Sequence, residues 1–284
     1  MIVIKPIQER ILAGLARYKF LTVSQMERLK VGHKNWTYIE LRELEKGGFT
    51  KSVQYGVGTR SGVKTEKLHF LTPKGAKLYV ESVKGLSLEQ IKYPKSHNTI
   101  VKNDFAHRMS MINTQISFDH WTKENGFETI FFDTYFDTVG SNRNKEKGGA
   151  LRPKTRLDFG GGNFADPDGI LLYSTGSKKK LWVMEVFNGN DSGRVVKQLR
   201  NICYAILHGI TADKYGVKLP ERALITFEHE PNMKASIERM KQDPYFDMEG
   251  IEDFFFFGLA EKVWGDFGGS WVKMDGKKVK LATV

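Results

Sequence analysis

Cysteine is nearly absent from this chain: Cys203 is the single one among 284 residues. That excludes an internal disulfide and any multi-cysteine zinc site, and it fits a reducing cytosol, so a cytoplasmic location is expected. Long apolar runs are also missing. No stretch approaches the roughly 20 residues of a spanning helix. The N-terminal Met1-Ile2-Val3-Ile4 is too short for the apolar core of a signal peptide, so no membrane partner is expected. Gly160-Gly161-Gly162 lacks the Gly-Lys-Ser/Thr ending of a phosphate loop and precedes a strand, not a helix. Histidines such as His97, His107, His120 and His208 are scattered, with no His-x-His pair to seed a metal triad.

What is present is a foldable, basic chain. Hydrophobic residues at 40% and aromatics at 12% describe a globular protein rather than a disordered one, and the length suits two domains. The net charge is +11, and residues 1–82 hold 15 Lys/Arg against 7 Asp/Glu, a net +8. A positive field concentrated in one third of the chain favours a polyanion and salt-sensitive binding.

That basic third has a readable pattern. Ile7, Ile11, Leu12 and Leu15 follow Pro6 at helical spacing. Thr22 caps a second helix through Met26 and Leu29, with Glu27 two places past the capping-box position. His33 to Lys46 forms a third, with Trp36, Ile39, Leu41 and Leu44 as its apolar positions and Gly47-Gly48 as its stop. Lys51–Gln54 and Lys67–Leu71 then flank a Gly-rich turn as a hairpin with Arg60, Lys64 and Lys67 about its tip, and Leu71-Thr72-Pro73 opens another helix. Three helices and a hairpin make a winged helix-turn-helix, residues 1–82. In such a module the third helix enters the major groove of double-stranded DNA and the wing touches the backbone. Lys34, Asn35, Thr37, Tyr38 and Arg42 are then the DNA-facing residues of that helix, with Arg60, Lys64 and Lys67 in the wing.

Residues 83–100 have little periodicity and read as a linker, and 101–284 as an α/β domain. A helix from Asp104 to Phe118 carries Phe105, Met109, Ile112 and Ile116 on one stripe, with His107 and Asn113 nearby. A strand is expected over Glu128–Asp137 and a polar, basic loop over Asn142–Lys154. Two adjacent strands follow, Gly169–Tyr173 and Leu181–Phe187, then a helix over Gly193–His208. A strand over Arg222–Phe227, a helix over Met233–Met240 and a strand over Asp253–Gly258 complete a mixed sheet with flanking helices.

Pro167-Asp168 stands at the start of the first strand of the adjacent pair and Glu185 lies inside the second, so the pairing brings two carboxylates to one end of a sheet. A hard divalent cation, Mg²⁺ or Mn²⁺, takes such a pair, and with it phosphodiester chemistry becomes available. Asp168 and Glu185 are the expected metal ligands, with Asp166 or Asp158 as a possible third carboxylate. His107 is a candidate for the site. The pattern resembles the Pro-Asp…(Asp/Glu)-x-Lys core of restriction-endonuclease-like nucleases, PD-(D/E)xK, with Phe187 where the lysine belongs. Lys180, Lys197 or Arg200 are the cations able to replace it, and Lys197 is preferred because the helix after the Glu strand packs beside the site in that fold.

The order of features also resembles a family. Winged helix, Leu71-Thr72-x-x-Gly75, His107…Asn113 on a helix, Pro167-Asp168, Glu185 and a basic helix ending at Tyr204 are similar to the replication-relaxation family of plasmid and mobile-element proteins, which includes MobC-type mobilisation relaxases. The resemblance covers roughly residues 6–208. It implies binding at a plasmid origin with nicking or relaxation of supercoiled DNA, and a homodimer or relaxosome-type protein partners. Two other readings use the same residues: a non-enzymatic replication or transcription regulator on a nuclease-like scaffold, and a restriction-type defence nuclease.

Overall fold

A computed structural model describes residues 4–55, 65–94, 104–140, 151–217, 221–248 and 250–283. The chain divides into two compact units, 1–105 and 106–284.

The first unit contains α1 (Pro6–Tyr18), α2 (Val23–Arg28), α3 (Lys34–Lys46), the antiparallel hairpin β1 (Thr50–Val53) and β2 (Leu68–Leu71), and α4 (Pro73–Ser82). Leu21 pairs with His69 and adds a third short strand to the hairpin. This is the expected arrangement of three helices and a wing. Ile11, Leu12, Leu15, Met26, Leu41, Leu44 and Phe70 fill its core. The α2 capping box closes on Gln25, not Glu27. Thr22 Oγ1 accepts from Gln25 N at 3.2 Å, and Gln25 Oε1 accepts from Thr22 N at 3.0 Å.

α3 departs from its expected stripe. Its buried residues are Thr37, Glu40, Leu41 and Leu44, while Trp36 and Ile39 are 60% and 46% exposed. A buried carboxylate is tolerated only with partners. Glu40 has them from α1: Lys5 Nζ at 2.9 Å and Gln8 Nε2 at 2.8 Å. That pairing turns the Glu40 side of the helix inward and the Trp36 side out.

The motif Leu71-Thr72-x-x-Gly75 has a steric reason. Thr72 caps α4, accepting from Gly75 N at 3.0 Å and donating to Gly48 O at 2.7 Å. The first turn of α4 lies so close on Phe49 that a Cβ on Gly75 would stand 1.9 Å from its carbonyl oxygen. Residues 83–94 are not a free linker. They include a 3₁₀ turn at Leu88–Gln90, Ile91 is buried, and Lys92 N donates to Ala16 O at 2.8 Å. Residues 95–100 of the expected linker lie outside the described residues.

The second unit is built on a seven-stranded sheet. Its strands are β3 (Glu128–Thr134), β8 (Gly169–Ser174), β9 (Lys179–Phe187), β10 (Glu221–Phe227), β11 (Phe255–Leu259), β12 (Trp271–Val272) and β13 (Lys278–Val279), in spatial order 13-12-11-10-9-8-3. β9, β10 and β11 are parallel and the other pairings antiparallel. Small pairs β4 (Thr138–Val139) with β5 (Arg152–Pro153), and β6 (Leu157–Gly160) with β7 (Asn163–Ala165), stand outside the sheet. β8 and the middle of β9 are buried on both faces, so they read as continuous apolar runs.

On one face, Phe118 and Trp121 of α5 (Phe105–Glu124) meet the rings of Tyr173, Phe132 and Phe267. On the other, Val183, Ile225 and Phe257 share a core with α6 (Ser192–Leu207) and α8 (Glu230–Lys241), with α7 (Ile210–Lys214) between these helices in sequence. The chain extends its sheet beyond the strand expected at 253–258, through α9 (Ala260–Gly265) to β12 and β13. Among the described residues no helix is long and apolar enough to cross a membrane.

Gly75→Ala should destabilise the first unit by about 1–3 kcal/mol, because the backbone of Phe49 must move to admit one methyl group. Thermal unfolding should show a lower Tm than that of the exposed Lys77→Ala control; equal melting of the two variants would refute the close-packing account.

Candidate functional site

The β8–β9 ladder positions the carboxylates. Gly169 pairs with Met184, so Asp168, one residue before, comes opposite Glu185. Backbone bonds fix Asp168: Val186 N donates to its Oδ2 at 2.8 Å, and Tyr135 N donates to its carbonyl at 2.9 Å. Glu185 alternates with Val183 along β9 and so lies on the α6 face of the sheet. There Gln198 Nε2 donates to Glu185 Oε2 at 2.8 Å. Glu185 is 0% exposed and Asp168 6%. The other oxygen of Glu185, Oε1, is buried and receives no N–H or O–H donor among the described residues; the neighbouring polar group is the Asp168 carboxylate.

A polar chain continues from Asp168. His107, in the first turn of α5, places Nε2 at 2.8 Å from Asp168 Oδ1 and Nδ1 at 3.0 Å from Asn188 Oδ1. Asn188 Nδ2 donates to Ser110 Oγ at 2.8 Å and to Glu228 Oε2 at 2.9 Å, which orients the amide oxygen to the imidazole. Both ring nitrogens of His107 therefore face oxygen atoms. Asn188 and Glu228 directly follow the parallel strands β9 and β10, so the chain sits at the carboxyl ends of those strands, where open α/β sheets bind ligands.

Burial, and next the charge of Asp168, hold the Glu185 carboxyl well above the usual carboxylate range. Two carboxylates this close in a dry site do not both ionise without a cation between them. The residues fit a divalent cation in two respects: both donors are hard oxygens, and one oxygen is left over. Mg²⁺ commonly takes one or two carboxylates and completes its shell with water and phosphate oxygens. Among the described residues, no group of three His, Cys, Asp or Glu side chains forms a ligand set.

Several sequence expectations are corrected here. Lys197 is exposed on α6, opposite the stripe of Val195, Leu199 and Ile202, and the neighbouring Gln198 is the residue that reaches Glu185. The apolar periodicity of α6 held that signal, since it puts position 198 at the margin of the buried stripe and position 197 behind it. Lys180 pairs with Tyr173 at the far end of β9, and Arg200 Nε is engaged by Asp243 at 2.7 Å. Phe187, in the lysine's place, packs its ring 5.3 Å from that of Phe227. Neither suggested third carboxylate joins the pair: Asp166 is held by Arg156 through two bonds of 2.8 and 2.7 Å, and Asp158 by Arg152 at 2.9 Å. Asn188 and Glu228 were hidden in turn segments without periodicity.

In the first unit, Lys34, Asn35, Tyr38 and Arg42 lie exposed on α3, and Lys67 is exposed beside the hairpin. Thr37 is not part of that face. It is fully buried and its Oγ1 donates to His33 O at 3.2 Å, because it falls on the same stripe as Leu41 and Leu44. Lys34 also forms an ion pair with Glu27 at 3.2 Å. Arg60 and Lys64 lie outside the described residues, as does most of the loop expected at 142–154. Exposed Trp36 and Ile39 add apolar surface to the cations and amide of this helix.

No family model and no curated protein matches this chain. Among solved structures, it is similar to Bacillus subtilis PadR, crystallised in complex with operator DNA. The likeness has 19% identity over 44% of this chain and 71% of that one, with a TM-score of 0.25. A superposition that loose carries no argument about fold or function.

The raised Glu185 pKa has a signed consequence for stability. Below about pH 4.5, the usual Glu value, the carboxyl is protonated folded and unfolded, and stability does not depend on it. As pH rises, the unfolded chain releases this proton first, so stability falls until the folded pKa is passed. Glu185→Gln keeps an acceptor for Gln198 and removes the titration. At neutral pH it should raise Tm by a few degrees, a gain that fades at acid pH. A variant that melts lower than wild type at pH 7 in metal-free buffer would refute the uncompensated carboxyl.

Proposed function

We propose that this chain is a DNA-binding protein whose first unit holds duplex DNA through α3 and the β1–β2 hairpin, and whose second unit cleaves a phosphodiester at Asp168 and Glu185. The resemblance to the replication-relaxation family supplies the setting, nicking or relaxation at a plasmid or mobile-element origin. The observation that carries the reading is the buried Glu185 carboxyl, one oxygen of which receives no N–H or O–H donor among the described residues, held against the carboxylate of Asp168. A Mg²⁺ or Mn²⁺ ion held by the two carboxylates would neutralise phosphate charge and lower the pKa of a bound water. Val186 N–H and Gln198 keep the two side chains in register. His107, bonded between Asp168 and Asn188, positions the Asp168 carboxylate.

Phe187 favours a second reading, a regulator that binds DNA without cutting it. Its ring is committed to the core against Phe227, and no lysine takes its place at the carboxylates in the hydrogen bonds and ion pairs of the described residues.

Supercoiled plasmid incubated with protein and Mg²⁺ or Mn²⁺ should convert to open circle, and Asp168→Ala or Glu185→Gln should reduce the rate at least 100-fold. Binding without conversion, unchanged in both variants, supports the regulator. Cleavage of many unrelated DNAs to linear fragments supports a defence nuclease.

The DNA-binding half is tested separately. Arg42→Ala should weaken duplex binding by about 1–3 kcal/mol, and Lys67→Ala should flatten the salt dependence by about one unit of slope. Titrations of wild type and variants at several salt concentrations measure both. Wild-type affinity and slope in both variants would remove this face from the interface.

A further inference from the structure

A second cationic feature lies in the 106–284 unit, away from the carboxylate pair in its chemistry and its residues. A cavity of about 400 Å³ is lined by Arg152, Lys154, Arg156 and Lys214, with Asp158 as its one acidic wall residue among the described residues. Partners behind the wall hold these cations in place. Arg156 is bidentate to Asp166, Lys154 Nζ pairs with Asp133 Oδ1 at 2.8 Å, and Lys214 Nζ donates to the carbonyls of Lys154 and Arg156. The side chains of Arg152 and Lys154 are still 47% and 49% exposed, and each spends one donor on its carboxylate. An Arg has five N–H donors and a Lys three, so capacity for an anion remains.

Beside this cavity stands an aromatic ring in an unusual place. Phe164, on β7, pairs across the hairpin with Asp158 and is 45% exposed. The Arg156 guanidinium stacks 3.6 Å from its centroid. One face of the ring is thus backed by a locked cation, and the exposure leaves ring surface to solvent. A cationic groove next to a fixed exposed aromatic is how proteins hold unpaired nucleotides, with the phosphate in the groove and the base on the ring. A duplex hides its base faces in the stack and cannot use the ring.

We propose that Phe164 and the Arg152–Lys154–Lys214 groove bind a single-stranded nucleic-acid segment, one base stacked on Phe164 and its flanking phosphate among the cations. This goes beyond duplex binding by the first unit and does not depend on the carboxylate pair, so either can fail without the other.

The test is fluorescence anisotropy on the full chain at fixed salt. The probes are a labelled oligothymidylate of about 12 nucleotides and a labelled duplex, with unlabelled thymidine monophosphate as competitor. Phe164→Ala should weaken single-strand binding about tenfold and leave duplex affinity unchanged. Arg152→Gln, at an exposed position, should weaken it less and lower its salt slope. Three results would overturn the proposal: no single-strand binding by wild type, wild-type affinity in both variants, or equal losses for strand and duplex. Displacement by the mononucleotide at concentrations as low as those of the oligonucleotide itself would also overturn it, in favour of a free-nucleotide pocket.

Discussion

The pairing of Asp168 with Glu185 across the β8–β9 ladder is the constraint around which the second unit is arranged. A carboxyl that is 0% exposed costs free energy unless it is bonded, protonated or paired with a cation. The surrounding structure reduces that cost in parts. Val186 N–H and His107 serve Asp168, and Gln198 serves one oxygen of Glu185. The other oxygen receives no N–H or O–H donor among the described residues, and burial and the charge of Asp168 hold the carboxyl well above the usual carboxylate range. Apolar residues occupy the comparable positions Val183 and Ile225 on the same face.

The first unit shows the same logic with the opposite outcome. Glu40 is buried too, and Lys5 and Gln8 satisfy it. Both of its oxygens accept, and these bonds act on the orientation of α3. By fixing which side of α3 faces α1, it turns Trp36, Ile39, Tyr38 and Arg42 outward together. An exposed helix face that mixes a guanidinium, an amide and apolar groups offers bidentate donors and methyl contacts of the kind base edges present in a major groove. The excess of basic residues over 1–82 supplies attraction to phosphate without regard to sequence.

The charge of the second unit is smaller in sum but not uniform. Arg152, Lys154, Arg156 and Lys214 gather on one cavity, where three acidic partners hold the first three in defined positions. Asp158 and Asp166 serve that cation cluster, which explains why they do not join Asp168 and Glu185. Their contribution is to hold the cations that line the cavity and, through Arg156, to back the ring of Phe164. Carboxylates close together in sequence thus divide between two environments, the buried pair and the cation-lined cavity.

Much of this was legible in the linear chain. Period and punctuation fixed the helices and strands, because apolar spacing, Pro at helix starts and Gly at stops act within a few residues of each other. The pairing of Asp168 with Glu185 was legible as well: two consecutive apolar strands joined by a short turn pair antiparallel, which brings the start of the first beside the end of the second. His107 reached Asp168 as its place on the helix before the sheet allowed. What the chain left open are the choices made between elements distant in sequence. Gln198 rather than Lys197 faces Glu185, Thr37 turns inward, Trp36 turns outward, Phe187 joins the core, and Asp158 and Asp166 pair with arginines. Each depends on the angle at which one surface meets another, and a rotation of one residue along a helix shifts its facing direction by about 100°. Local chemistry set the elements and the carboxylate pair; packing decided which neighbours that pair received.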